Sequence, residues 1–168
     1  AVLEMLWHID FCPDVIHAND WQCGLIPLFL NVFYRREERF SNIRTLFTIH
    51  NVEYQGTFPK GFAGEVLGFS EEAMPDCIWN GDVNCMYAGI RAADKVTTVS
   101  KTYAQELKTA FYGRGLDGVF NEEAHKFCGV TNEIDMDLFN PHTDERLFHR
   151  YDVKTMAGKK IGKRRLRE

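Results

Sequence analysis

DVIHANDWQCGLIPLFLNVFY, residues 14–34, is the stretch that decides the fold. Its opening, Asp14–Ala18, is a β-branched and apolar run that reads as a strand. The continuation, Asp20–Tyr34, places Trp21, Leu25, Leu28, Phe29 and Val32 at the spacing of one helix face. A strand feeding directly into a helix begins a β–α crossover. Working outward, Arg44–His50, Lys95–Ser100 and Phe127–Thr131 read as further strands. Asp82–Ala93, Lys101–Phe111 and Leu116–Ala124 read as helices between them, with Ser100 as an N-cap. This alternation predicts an α/β fold with a parallel sheet and right-handed crossovers. The apolar strands predict burial on both sheet faces.

Segment 51–80 departs from the alternation and is rich in Gly, Pro and aromatic residues, among them Tyr54, Gly56, Phe58, Pro59 and Trp79. Long irregular connections of this kind are often functional. Val2–Ile9 and Lys154–Glu168 read as helices at the two ends, so neither end looks like a domain boundary.

The 168 residues suit about one domain, and 45% hydrophobic with 26% charged residues is a globular balance. The longest apolar run, Leu25–Leu30, is far short of the roughly 20 residues that span a bilayer, so no membrane partner is expected. Ala1–Leu6 lacks the basic start of a secretory signal. The net charge of −4 argues against a dedicated nucleic-acid binder. That charge is unevenly spread: residues 159–168 hold six cations and one anion, a run read as a solvated helix. The cysteines, Cys12, Cys23, Cys77, Cys85 and Cys128, include no C-x-x-C pair and lie singly beside apolar segments. They are expected to be free thiols of a reducing compartment, with no disulfide and no thiolate metal site.

Ligands of open parallel sheets bind beyond the carboxyl ends of the strands. The first strand ends in His17-Ala18-Asn19-Asp20-Trp21, and the second in His50-Asn51 followed by Glu53-Tyr54-Gln55-Gly56. His50 offers one hydrogen bond from each ring nitrogen, Asn51 both donates and accepts, and an ionised Asp20 only accepts. Trp21 and Tyr54 add flat apolar faces, and such a mixture suits a hydroxyl-rich ligand such as a sugar. Competing structural roles are an N-cap for Asp20, core packing for Trp21 and a satisfied core histidine for His17. Nothing in the spacing of His17, Asp20 and His50 demands a metal. There is no dinucleotide fingerprint, P-loop or nucleophile elbow, and Gly113, Gly115 and Gly118 are a weak phosphate signal.

The runs DVIHANDWQ (14–22) and TIHNVEYQG (48–56) resemble the ADP-glucose-dependent α-1,4-glucan synthases, bacterial glycogen synthase and plant starch synthase. The resemblance continues through AGIRAADKVTTVSKTYA (88–104), GLDGV (115–119) and I-D-x-D-L-F-N-P (134–141), nearly the whole chain. It implies the two-domain GT-B fold, each domain a doubly wound, Rossmann-like parallel sheet. Residues 1–150 would be part of the N-terminal, acceptor-side domain, and 151–168 the start of a linker helix toward a C-terminal nucleotide-binding domain. It implies a retaining hexosyltransferase that moves glucose from ADP-glucose to the non-reducing end of an α-1,4-glucan, without metal or other cofactor. Residue by residue, His50 matches the family histidine near the 6-hydroxyl of the transferred glucose, with Asn51 beside it. Asp20 and Trp21 match a cleft-lining pair on the acceptor side, and Tyr54 and Gln55 lie in the loop after the histidine.

The family's K-x-G-G-L motif would precede residue 1, and its nucleotide-binding domain would follow residue 168. The chain alone is therefore expected to be catalytically inactive, poorly soluble or oligomeric; a non-catalytic glucan-binding module is the alternative. The implied setting is the bacterial cytoplasm, or the plastid stroma in a plant. VTNEID (130–135) departs from the family's V-L-N-G-I-D: Thr131 replaces an apolar residue and Glu133 a turn glycine. A left-handed backbone at Glu133 would cost roughly 1–2 kcal/mol.

Overall fold

The computed structural model describes all 168 residues. Contacts divide the chain into two compact units, Ala1–Thr131 and Asn132–Glu168, ahead of the boundary at residue 150 drawn from the sequence.

The first unit holds the strands β1 (Val15–Asn19), β2 (Arg44–Ile49), β3 (Thr57–Phe58), β4 (Ile78–Trp79), β5 (Asp82–Asn84), β6 (Lys95–Thr98) and β7 (Phe127–Gly129). Strands β1, β2, β6 and β7 stand side by side in that order, and every adjacent pair is parallel. This is the expected α/β architecture. Because the order rises steadily, right-handed crossovers put every connecting helix on the same face. The register Ala18–Phe47–Val96–Phe127 makes one buried row across the sheet under that face. Met86, Ile90, Leu107, Leu116, Val119 and Phe120 close over it from the helices. A side chain such as Phe47, fully buried, contributes about 2–3 kcal/mol by leaving water.

The expected burial of both faces is not met in this chain. Residues of the other parity, His17, Asn19, Thr48, Thr97 and Cys128, are exposed or half-buried. They form a polar ladder: His17 Nε2 lies 2.7 Å from Thr48 Oγ1, which lies 2.7 Å from Thr97 Oγ1. Threonine is β-branched and supports a strand, yet its hydroxyl suits an uncovered face.

The expected helix over Asp82–Ala93 starts later. Residues Asp82–Asn84 are β5, paired antiparallel with β3 and β4. The turn between β4 and β5 is Asn80-Gly81, both left-handed (φ 53° and 93°), a two-residue hairpin connection. Asn84 then caps the helix Cys85–Ala92 by accepting the Tyr87 N–H at 2.9 Å. The expected long helix from Asp20 runs as two short turns, Asp20–Cys23 and Leu25–Phe29. A wider π-type turn follows, closed by Arg35 N–H on the Leu30 carbonyl at 2.7 Å. Ser100 caps the helix Lys101–Glu106 as expected, accepting the Tyr103 N–H at 2.9 Å. The other helices are shorter than read: Val2–Met5, Asp117–Glu122 and, in the second unit, Ala157–Arg165.

At the amino end of the sheet, Asp94 gathers its neighbours. Its carboxylate accepts the Thr45 N–H (2.8 Å), the Thr45 hydroxyl (3.0 Å) and the Arg44 guanidinium (3.0 Å). The Asp94 N–H returns to Thr45 Oγ1 at 3.0 Å, and Arg35 stands 3.9 Å away. Partial burial opposes the charge, but the Thr45 and Arg44 hydrogen bonds and Arg35 outweigh it and hold the carboxyl below its usual range.

All five cysteines are free. Burial pushes the thiols of Cys77 and Cys85 up to about 11. Cys12 and Cys128 are exposed.

The second unit is mostly loop, tied by short-range bonds. The Asp135 carboxylate accepts the Asp137 and Leu138 N–H groups at 3.0 and 2.9 Å, and Asp152 accepts those of Lys154 and Thr155, each at 2.8 Å. The basic run is solvated, as expected, with Lys159 and Tyr151 in contact as cation and ring at 6.0 Å. Glu133 is not left-handed, so the strain that a turn glycine would have avoided does not arise. No helix of the chain is long and apolar enough to cross a membrane.

Candidate functional site

The carboxyl ends of β1 and β2 lie next to each other, since Asn19 pairs with Thr48 in the parallel register. Asp20, the first residue past β1, has a left-handed φ of 54°. Aspartate tolerates that region better than most residues. The turn sends the carboxylate back over the neighbouring strand end, where Oδ1 accepts the N–H of His50 at 2.8 Å and of Asn51 at 3.3 Å. Asp20 makes no side-chain cap on its own helix, so the N-cap role expected for it is not the one it takes. It holds the next loop.

His50 is exposed, with Nε2 3.0 Å from Asn19 Oδ1. Asn51 Oδ1 accepts the Glu53 N–H at 2.9 Å and closes an Asx turn. Tyr54 is 67% exposed and presents its ring to solvent. Gln55 is occupied at both ends of its amide: Nε2 donates to the Arg114 carbonyl at 3.0 Å, and Oε1 accepts from Asn84 Nδ2 at 2.7 Å. Its side chain therefore braces the loop. Trp21 is half-buried against the main core. Its ring lies on Gly56, whose φ is +65° and where an added Cβ would run into the indole. Thus His50, Asn51 and Tyr54 face outward, while Asp20, Trp21 and Gln55 hold them.

Sequence reasoning missed part of this support. Arg114, itself left-handed at φ 51°, pairs its Nε with Glu53 Oε2 at 2.8 Å. Trp79 Nε1 donates to the Gly115 carbonyl at 3.1 Å and stacks on Tyr87 with ring centres 5.0 Å apart. The glycine loop read as a weak phosphate signal meets Gln55 and Trp79 through its Arg114 and Gly115 carbonyls. His17 is exposed rather than a core histidine, and is satisfied by Thr48. No three His, Cys, Asp or Glu side chains stand together as metal ligands.

The site combines neutral hydrogen-bonding groups with one carboxylate committed to backbone amides and one ion pair, Glu53 with Arg114. Such a surface reads hydroxyl groups rather than charge. The imidazole, amide and exposed aromatic ring stand beyond adjacent carboxyl ends of a parallel sheet, the edge where open α/β folds bind their ligands.

The family model for the starch synthase catalytic domain matches residues 1–122, and the chain belongs to that family. It is 48% identical over 165 residues to a glycogen synthase of Desulforudis audaxviator, covering 97% of this chain and 33% of that one. It is 45% identical over 170 residues to a glycogen synthase of Clostridioides difficile, covering 100% and 35%. A solved structure, the catalytic domain of Starch Synthase IV from Arabidopsis thaliana bound to ADP and acarbose, superposes with a TM-score of 0.83 at 36% identity, covering 99% of this chain and 34% of that one. The chain spans about a third of the length of the curated relatives it matches.

Proposed function

We propose that this chain forms the acceptor-side wall of the cleft of an α-1,4-glucan synthase. The whole enzyme transfers glucose from ADP-glucose to the non-reducing end of an α-glucan with retention of configuration, and takes no metal or other cofactor. The observation that carries the reading is the Asp20 clamp, which fixes His50 and Asn51 at an exposed strand edge. The family match and the neighbour bound to ADP and acarbose support it.

In this reading His50 is the catalytic residue, facing the hydroxyls of the transferred glucose. Asn51 binds a further hydroxyl, and the open ring of Tyr54 covers a sugar C–H face. Asp20, Trp21 and Gln55 serve substrate binding by positioning that loop. The transition state is oxocarbenium-like, so the wall's polar groups gain most where they meet the sugar as charge develops. Groups that hold the leaving diphosphate are not among the site residues of this chain. Five thiols without a disulfide suit a reducing cytoplasm.

A nuclear magnetic resonance titration of the chain with maltohexaose tests the reading. We expect saturable shifts at His50, Asn51 and Tyr54 with a dissociation constant on the order of millimolar. Absence of shifts at those residues in a folded sample would reject the glucan site. Incubation with ADP-glucose and glycogen should release no ADP; measurable release would overturn the placement of the diphosphate groups.

A further inference from the structure

We propose that Asn19 is a positioning residue for His50: it holds the imidazole in the Nε2–H tautomer and leaves Nδ1 as the hydrogen-bond acceptor for a ligand hydroxyl. The role assigned to the ligand rests on the glucan reading above, but the tautomer does not.

Side chains alternate along a strand, and Asn19 pairs with Thr48, two residues before His50. Asn19 and His50 therefore project from the same uncovered side of the sheet edge. There His50 is held at two points. Its backbone N–H is fixed by Asp20 at 2.8 Å, and its ring Nε2 lies 3.0 Å from Asn19 Oδ1. A carbonyl oxygen can only accept, so the proton of a neutral ring resides on Nε2. One ring nitrogen is left, and it carries a lone pair. A lone pair on an exposed ring takes a hydrogen bond from a hydroxyl donor and gains nothing from a deoxygenated analogue.

His17 supplies an internal contrast. It sits two residues back on β1, on the same face, with Nε2 2.7 Å from Thr48 Oγ1. That hydroxyl also meets Thr97 Oγ1 at 2.7 Å and can donate or accept, so His17 has no partner that dictates its tautomer. The charges on the loops around His50 are Asp20, which is spent on backbone amides, and Glu53, which is paired with Arg114.

The test is a long-range proton–nitrogen correlation spectrum of the imidazoles in the 15N-labelled chain, above the pH at which the rings titrate. We expect His50 as a single Nε2–H tautomer, relaxing to a mixture in Asn19→Leu while the backbone spectrum elsewhere is preserved. Asn19→Asp puts an obligate acceptor at the same place and should keep the Nε2–H form. A wild-type His50 in the Nδ1–H form would overturn the proposal. So would a mixture no different from that of Asn19→Leu. Should Asn19→Leu fail to fold, the tautomers of the wild type and of Asn19→Asp decide by themselves. Maltohexaose added to the same sample separates the two readings: a single Nε2–H tautomer without sugar-induced shifts would defeat the glucan site and leave the Asn19 role standing.

Discussion

The two ends of the parallel sheet each carry one decisive carboxylate, and they use it differently. At the amino end, Asp94 collects the Thr45 amide, the Thr45 hydroxyl and Arg44, with Arg35 nearby, all from the segments it joins. At the carboxyl end, Asp20 takes two backbone amides and leaves the His50 and Tyr54 side chains exposed. The first arrangement closes the structure. The second spends one charged group to hold a loop so that an imidazole and an aromatic ring remain open to a ligand.

Four substitutions break or sharpen that contrast, and the largest effect belongs at the closed end. Asp94→Ala leaves the buried Thr45 N–H and hydroxyl without their acceptor, and should lower unfolding free energy by about 3 kcal/mol in urea titrations. Cys77 and Cys85, protected by burial, would then become reactive to thiol reagents at lower urea. The same carboxylate sets a pH dependence. Its folded pKa lies below the ordinary carboxylate value, so its contribution is complete above about pH 4 and is lost as pH falls through the folded value. Wild-type stability should decline there more steeply than that of Asp94→Ala.

Next comes Gly56→Ala, which imposes a Cβ on a left-handed residue and drives it into the Trp21 ring. We expect a loss of about 2 kcal/mol together with altered Trp fluorescence. Asp20→Ala should cost only about 1 kcal/mol globally, yet speed hydrogen exchange selectively at the His50 and Asn51 amides. Unchanged exchange at both amides would show that the clamp does not hold the loop. The smallest stability effect belongs to Tyr54→Ala, within about 0.5 kcal/mol, because the ring is largely in water. Its signature should be weaker maltohexaose binding. A Tyr54→Ala variant that unfolds like Asp94→Ala would erase the distinction between the two ends.

Much of this was legible in the chain. Strand–helix alternation gave the parallel sheet, and inspection of strand ends found His50, Asn51, Asp20 and Tyr54 where ligands of such sheets bind. Asn80-Gly81 is a readable hairpin signal, and the strand it introduces occupies the first three residues of the helix expected over 82–93. Which sheet face is more polar was not legible in the threonines: Thr48 and Thr97 lie on it, but Thr45 and Thr98 are buried on the other side. Gln55 was a different matter. Its partners, Asn84 and Arg114, lie 29 and 59 residues away, and no local pattern links them.

The amino-acid order by itself determined the sheet, its direction and which polar residues follow its strand ends, because side-chain periodicity and crossover handedness act over short stretches. Only the tertiary structure decided which polar groups at that edge are spent and which stay free. That division depends on the sign of one backbone angle at Asp20 and on bonds between strands far apart in the chain, such as Asn19 to His50.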